Sequence, residues 1–358
     1  MRNERITSMD QLNPLSDIFA QNLLKELTQQ KATIAVAEGC TGGRILNKIT
    51  IPGATKVFRI GTIAYSRKAK EMLGVECNLI DIYGEYSPEI AIEMAKKVRQ
   101  LRNDTIGIAT VGELRDNTYS TVYLASSSIN GDVSCIPITV KNEKRSGIKS
   151  TVSNEALITS LNYINDRKEA IFDSRKGTRI IIDEEVDMSE QNIALSNLLS
   201  KGRLSISTIE SCTGGAIGDT ITDIPGSSNY FDSSWVVYDE NSKVMLGVPL
   251  STMAYGQVYS PQVSEEMAKA LQRKTKTDIV ISTTGTMDNW DTRPYHLDSP
   301  PGTIYYSIGI DGEIFTKRIH LLPQSRKIMK KELIKLIFND LISIINHRRE
   351  NQYSSNLL

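Results

Sequence analysis

The sequence predicts an α/β protein: two tandem three-layer α/β/α domains, each with a mixed central sheet, related by internal duplication. Three observations lead there. The segment AVAEGCTGGRILNKITIPGATKVF at 35–58 returns as STIESCTGGAIGDTITDIPGSSNYF at 207–231, and a period that long marks a duplicated domain and not a stacked solenoid. β-rich runs alternate with helical patterns, which places helices on both faces of a sheet. The late β-rich runs follow one another with no helix between them, so the sheet holds antiparallel as well as parallel pairs. The 358 residues divide into two units of about 150–170 residues, the usual domain size.

Each element has a local reason. Residues 16–30 carry Phe19, Leu23 and Leu27 on one stripe with Ser16 as a cap, which reads as a helix. A short strand over 33–37 runs into a glycine turn, and a helix starts near Gly43. A strand is expected over 55–65 and a helix over 88–101, begun by Pro88 in its first turn. Strands over 105–110, 121–126 and 133–139 precede a closing helix over 152–164. In the second copy a strand over 204–209 enters the turn, a helix begins near Gly215, and a strand covers 278–283. Glu38 corresponds to Glu210 and Gly42 to Gly214; one inserted residue later, Gly53 corresponds to Gly226, Tyr65 to Tyr238, Lys70 to Lys243 and Gly112 to Gly285. Domains are expected over 13–166 and 187–350. The charge-rich stretch between them reads as a solvated linker in which 179–182 could add an edge strand.

Composition excludes several classes. Lys plus Arg and Asp plus Glu both number 42, and a chain without surplus cationic surface is not a general nucleic-acid binder. The amino-terminal stretch lacks the apolar core of a secretory signal. No apolar run approaches the roughly 18 residues that span a bilayer, so no membrane partner is expected. Cys40, Cys77, Cys135 and Cys212 show no CxxC spacing and read as reduced thiols. Only three histidines are present, too few for a histidine-rich metal site. The expectation is a cytoplasmic protein with no metal and no cofactor.

The residues richest in chemistry lie at the second strand–turn–helix junction, Glu210, Ser211, Cys212, Thr213, Gly214 and Gly215. Two glycines let the backbone bend sharply and approach a ligand. Helix-start N–H groups suit a phosphate or a developing oxyanion. Ser211, at the strand end, is placed as an exposed hydroxyl. Taken alone, S-x-T-G-G is met most often as a helix cap. The surroundings change that: the IPGSSNYF segment, Tyr238, Lys243, the LGV that follows and Thr284-Gly285.

Together these segments resemble the carboxy-terminal domain of the CinA family, the nicotinamide-nucleotide amidase domain. Its hallmarks are an A-E-S-C-T-G-G turn, a D-x-P-G-x-S-x-F segment, a Y-S-N-x-x-K-x-x-L-G-V segment and a V-T-G loop. The resemblance covers nearly all of both halves. Full-length members also carry an amino-terminal domain resembling molybdopterin-binding proteins, and its chemistry is not expected here. The resemblance implies hydrolysis of the carboxamide of nicotinamide mononucleotide to nicotinate mononucleotide and ammonia. It implies Ser211 as nucleophile, Lys243 and Tyr238 as proton-handling groups, and substrate contacts from Thr213, Gly214, Gly215, Thr284, Gly285 and Arg326. Arg326 would suit the ligand phosphate, a guanidinium offering paired donors; a solvated helix face with Lys327, Lys330 and Lys331 is its rival explanation. No histidine lies in the shared motifs, and His296, in the loop 286–302, is expected merely exposed. Cys212 reads as a small packed thiol.

The copies are not equivalent. Ser211 corresponds to Gly39 and Thr284 to Val111, and the first copy lacks nine residues of the loop after Gly112. Glycine cannot form an acyl-enzyme, so the first copy is expected to be inactive. Tyr65 and Lys70 persist, and Arg145 aligns weakly with Arg326. After Gly285 the chain departs from the family loop, which puts the substrate in question. Two other functions therefore stay open: a non-catalytic nucleotide-binding or regulatory protein, and acyl transfer on another amide or ester. The expected partner is a small nucleotide substrate, with the halves packed as an intramolecular pseudo-dimer that could assemble further.

Overall fold

In the computed structural model, which describes residues 14–114, 118–142, 145–165, 190–287, 300–322 and 324–355, the first copy runs α1 (Pro14–Gln29), β1 (Ile34–Glu38), α2 (Arg44–Ile49), β2 (Phe58–Ala64), α3 (Arg67–Leu73), α4 (Cys77–Tyr83), α5 (Pro88–Arg102), β3 (Ile106–Gly112), β4 (Thr118–Ser128), β5 (Val133–Asn142) and α6 (Arg145–Ile164). The second runs α7 (Glu190–Gly202), β6 (Ile206–Glu210), α8 (Ala216–Thr222), β7 (Phe231–Val237), α9 (Glu240–Leu246), α10 (Pro261–Thr275), β8 (Ile279–Gly285), β9 (Thr303–Ile310), β10 (Glu313–His320) and α11 (Arg326–Ser355). A 3-10 stretch, Leu250–Gly256, stands where the first copy has α4.

The mixed α/β class holds. β1 pairs in parallel with β2 and β3, while β4 and β5 add antiparallel ladders, and the second copy repeats the pattern. The two sheets are one. β2 and β7 pair antiparallel, giving a continuous sheet of ten strands in the order β10–β9–β8–β6–β7–β2–β1–β3–β4–β5. Thr62 lies opposite Trp235, and these occupy the same position of the two copies. The pseudo-two-fold axis therefore passes through that pair.

Side chains alternate across the sheet. Ile34 and Val36 enter a core beneath α1, α2, α6, α7, α8 and α11, whereas Ala35 and Ala37 enter one beneath α3, α5 and α10. Each core contains residues of both copies, Ile45 with Ile217 in the first and Met94 with Met267 in the second.

Several boundaries differ from the sequence pattern, and three of them have a visible structural reason. The strand expected from 55 begins at Phe58, because Gly53 (φ 92°) starts a 3-10 turn over Ala54–Lys56. β4 is longer than 121–126, its ladder with β5 extending it to Thr118–Ser128. The closing helix begins at Arg145 and not at 152: its first turns are polar and are held by hydrogen bonds to the other copy, which periodicity cannot show. Residues 166–189, with the edge strand considered over 179–182, lie outside the described residues.

Cutting the chain to 190–355 leaves β7 as an open edge, a template for further pairing. That fragment is expected to sediment as a dimer or larger species, and a stable monomer would contradict the role given to the β2–β7 ladder.

Candidate active site

The turn after β6 is organised by an anion of the protein's own. The fully buried Glu210 carboxylate accepts from the backbone N–H of Gly215 (2.9 Å), Ile217 (3.2 Å) and Gly218 (3.0 Å), and from Ser234 Oγ (3.2 Å). Glu38 does the same in the first copy, accepting from Gly43, Ile45 and Leu46, and burial pushes its carboxyl up. These are the N–H groups a helix start leaves without intrahelical partners. The sequence reading gave them to a ligand; the structure gives them to glutamate. Both glutamates sit in the quoted motifs, and their repetition was the available signal.

The glycines serve the contact between copies. Gly214 and Gly215 have φ of 60° and 92°. A Cβ on Gly214 would lie 2.1 Å from Thr50 Oγ1, and one on Gly215 would lie 2.8 Å from Leu46 Cβ. Gly42 meets Thr222 in the same way, at 2.3 Å. Gly214 and Gly215, expected as substrate contacts, lie in close packing between the two turns, which only a missing Cβ permits.

Ser211 and Lys243 do come together. Ser211 is 5% exposed and Lys243 1%, and Lys243 Nζ lies 3.3 Å from Ser211 Oγ and 3.3 Å from the Val237 carbonyl. Asp239 caps α9 by accepting from Ser242 N (2.7 Å), which sets the helix that carries Lys243. Tyr238 packs edge-on against Phe58 of the first copy (5.6 Å, 62°), and its N–H donates to Arg59 O (2.9 Å). Its hydroxyl accepts from Arg326 Nη2 at 2.9 Å, and the same nitrogen reaches the Cys212 carbonyl at 3.4 Å. Arg326 thereby joins Tyr238 to the turn, and its place is a half-buried one and not a solvated helix face.

The remaining expected contacts are satisfied internally. Thr213 Oγ1 pairs with Thr283 Oγ1 at 2.7 Å, and Thr284 Oγ1 donates to Val258 O at 3.3 Å. Gly285 lies so close to β9 that a Cβ would stand 2.5 Å from Thr303 O. The buried Cys212 thiol is pushed up to about 11 by burial, as suits a packed thiol and not a nucleophile. His296 lies outside the described residues.

In the first copy the same frame holds different chemistry. Arg145 Nη2 donates to Tyr65 OH (2.5 Å), the contact Arg326 makes to Tyr238, which establishes the equivalence that the sequence showed weakly. Lys70 Nζ meets the Glu85 carboxylate at 3.0 Å where Lys243 meets a serine. Gly39 has no hydroxyl, and a Cβ there would stand 2.8 Å from Thr110 O.

Sequence reasoning missed the polar network across the pseudo-axis. Lys149, four residues after Arg145, is buried against Asp219 (2.8 Å), Asp223 (2.6 Å) and Thr222 Oγ1 (3.0 Å), while Arg44 bonds Asp219 (2.9 Å) and Asp223 (3.0 Å). Burial would push Asp219 up, but Arg44 and Lys149 outweigh it and bring its carboxyl to about 2. Among the described residues Lys330, four residues after Arg326, finds only neutral acceptors: Asn47 Oδ1 (2.9 Å), Asn47 O (3.3 Å) and Thr50 Oγ1 (3.0 Å). Burial, with Arg326 nearby, brings Lys330 down to about 7.

Fold and site together define a duplicated α/β protein with a buried serine–lysine pair in one copy. Residues 16–164 and 189–345 each match the model of the CinA C-terminal domain; the chain belongs to the CinA family. A CinA-like protein of Flavobacterium psychrophilum is 35% identical over 154 residues, 42% of this chain and 36% of that protein. A putative competence-damage inducible protein of Caldanaerobacter subterraneus subsp. tengcongensis is 47% identical over 92 residues, 25% of this chain and 22% of that protein. The chain thus spans about a third or less of these curated relatives. Among solved structures, a competence or damage-inducible protein from Enterobacter asburiae aligns with TM-score 0.41 at 22% identity, over 44% of this chain and 96% of that one. Among the described residues no helix is long and apolar enough to cross a membrane.

The network gives two stability predictions. Lys149→Met leaves two buried carboxylates to Arg44 alone and is expected to cost about 3–5 kcal/mol in denaturant unfolding. A cost below about 1 kcal/mol would contradict the pairing. Lys330 titrates near 7 when folded and near 10.5 when unfolded, so the unfolded chain binds more protons between those values. The cost of burying its charge is therefore full below pH 7 and lifts as pH rises toward 10.5. Lys330→Met should gain most in stability relative to the native chain at pH 6, and the difference should shrink by pH 10.

Proposed function

We propose that the chain is an amidohydrolase that converts the carboxamide of nicotinamide mononucleotide to the carboxylate, releasing ammonia, with the chemistry confined to the second copy. One observation carries the reading: Ser211 Oγ and Lys243 Nζ lie 3.3 Å apart, both buried, at the end of a strand. The first copy has glycine and a Lys70–Glu85 pair in those places. Lys243, in its amine form, takes the Ser211 proton as Oγ bonds to the amide carbon. The tetrahedral adduct collapses, the C–N bond breaks, and the nitrogen leaves as ammonia after taking the proton back. Water then adds to the acyl-serine ester, breaks the C–Oγ bond and releases the acid while Ser211 regains its proton. Tyr238, held by Arg326, stands beside the turn and is assigned as the second proton-handling group, and Arg326 is assigned to the ligand phosphate.

The coarser alternative, a nucleotide-binding protein without turnover, draws on the internal partners found for Thr213, Gly215 and Thr284. Ammonia release separates the two. The intact chain is expected to deamidate nicotinamide mononucleotide, with Ser211→Ala lowering kcat roughly a thousandfold or more. Binding with no turnover would favour the alternative, and undiminished Ser211→Ala activity would remove the mechanism. Adding Gly39→Ser to Ser211→Ala should restore nothing, since the new Cβ meets Thr110 O and Glu85 keeps Lys70.

A further inference from the structure

The turn bearing Ser211 is held from the other copy. Gly214 N donates to Ser211 O at 3.2 Å, and the carbonyl of that same Gly214 accepts from Thr50 Oγ1 at 3.1 Å. Thr50 Oγ1 itself accepts from Lys330 Nζ. A hydroxyl that accepts on a lone pair keeps its proton to donate, so an ammonium at Lys330 directs the Thr50 proton towards its backbone acceptors, Gly214 O and the α2 carbonyls. Those are Leu46 O at 2.9 Å and Asn47 O at 3.3 Å. Three acceptors, Asn47 O, Asn47 Oδ1 and Thr50 Oγ1, match the three ammonium protons. Asn47 is fixed in turn, its Nδ2 donating to Asp219 Oδ2 at 3.0 Å.

The mirror contact exists but serves no hydroxyl. Thr222 Oγ1 donates to Gly42 O at 2.7 Å and accepts from Lys149, and the turn it holds carries Gly39.

We propose that Thr50 and Asn47 of the first copy, tied together by Lys330 of the second, are positioning residues for the turn that presents Ser211. The copy without a nucleophile thereby maintains the one that has it. This rests on the hydrolase reading, in which the place of Oγ relative to Lys243 decides the rate. Displacing a reacting group by a fraction of an ångström lowers the rate without abolishing ligand binding. The groups facing Lys330 are Arg326 on its own helix, Glu210 and Cys212 at the turn, Asp219 on α8, Asn47 on α2 and Thr50 at the C-terminal cap of α2. Neither Asn47 nor Thr50 carries a charge, so the tie depends on hydrogen bonds.

The test compares Thr50→Val, Thr50→Ser and Thr222→Val in the full chain. Each is assayed for ammonia release from nicotinamide mononucleotide and for the rate at which diisopropyl fluorophosphate labels Ser211, read by peptide mass. Thr50→Val is expected to lower kcat by about tenfold with KM within about twofold, and to slow labelling in parallel. Thr50→Ser should restore both, and Thr222→Val, which breaks the mirror contact, should leave both near the native values. A native rate in Thr50→Val, or an equal loss in Thr222→Val, overturns the proposal. A native chain that labels at Ser211 but releases no ammonia removes the hydrolase reading, and the labelling rates then decide the positioning alone. A native chain that does neither overturns both.

Discussion

The antiparallel pairing of β2 with β7 fixes where every other group stands, because it makes one sheet of two copies and brings each copy's glycine turn against the other's. Thr62 faces Trp235 across the ladder, and from that pair the rest follows by rotation. α2 meets α8, Thr50 reaches Gly214, Thr222 reaches Gly42, and no Cβ fits between. In a symmetric homodimer each position near such an axis must tolerate its own image. A tandem chain is free of that condition, and this one departs from symmetry there. Asn47 and Asp219 are equivalent positions that face each other, amide to carboxylate at 3.0 Å; two aspartates in their place would repel.

The same departure separates two kinds of buried cation. On one side Arg44 and Lys149 meet Asp219 and Asp223, the last being the residue inserted in the second copy. On the other side α8 has Ala216 where α2 has Arg44, and Lys330 faces an amide and a hydroxyl. A paired buried charge is costly to disturb, and an unpaired one is held only by the hydrogen bonds that satisfy it. The turn carrying Gly39 therefore rests on ion pairs and the serine-bearing turn on neutral contacts.

Much of this was legible in the sequence. The duplication, the mixed sheets, the two glycine turns and the loss of the hydroxyl at Gly39 could be read by aligning the chain with itself. Ser211, Lys243, Tyr238 and Arg326 gather where the motifs suggested. What could not be read is what depends on the relation between copies. The fused sheet needs the register of β2 on β7, and the first turns of α6 look polar until Thr222 and Asp223 are beside them. Gly215 reads as a ligand contact because a turn rich in donors looks alike whether its N–H faces a phosphate or Glu210. The repeated glutamate was in plain view, but a buried carboxylate at a strand end is indistinguishable by pattern from an exposed one.

The chemistry assigned to the second copy reduces to a claim about one oxygen atom. Quenching the full chain in acid during turnover of nicotinamide mononucleotide, followed by peptide mass mapping, locates any acyl group directly. The account predicts an adduct on the peptide containing Ser211 and none within 14–165. An adduct on the first copy, or turnover with no acyl-enzyme trapped on Ser211, would contradict it.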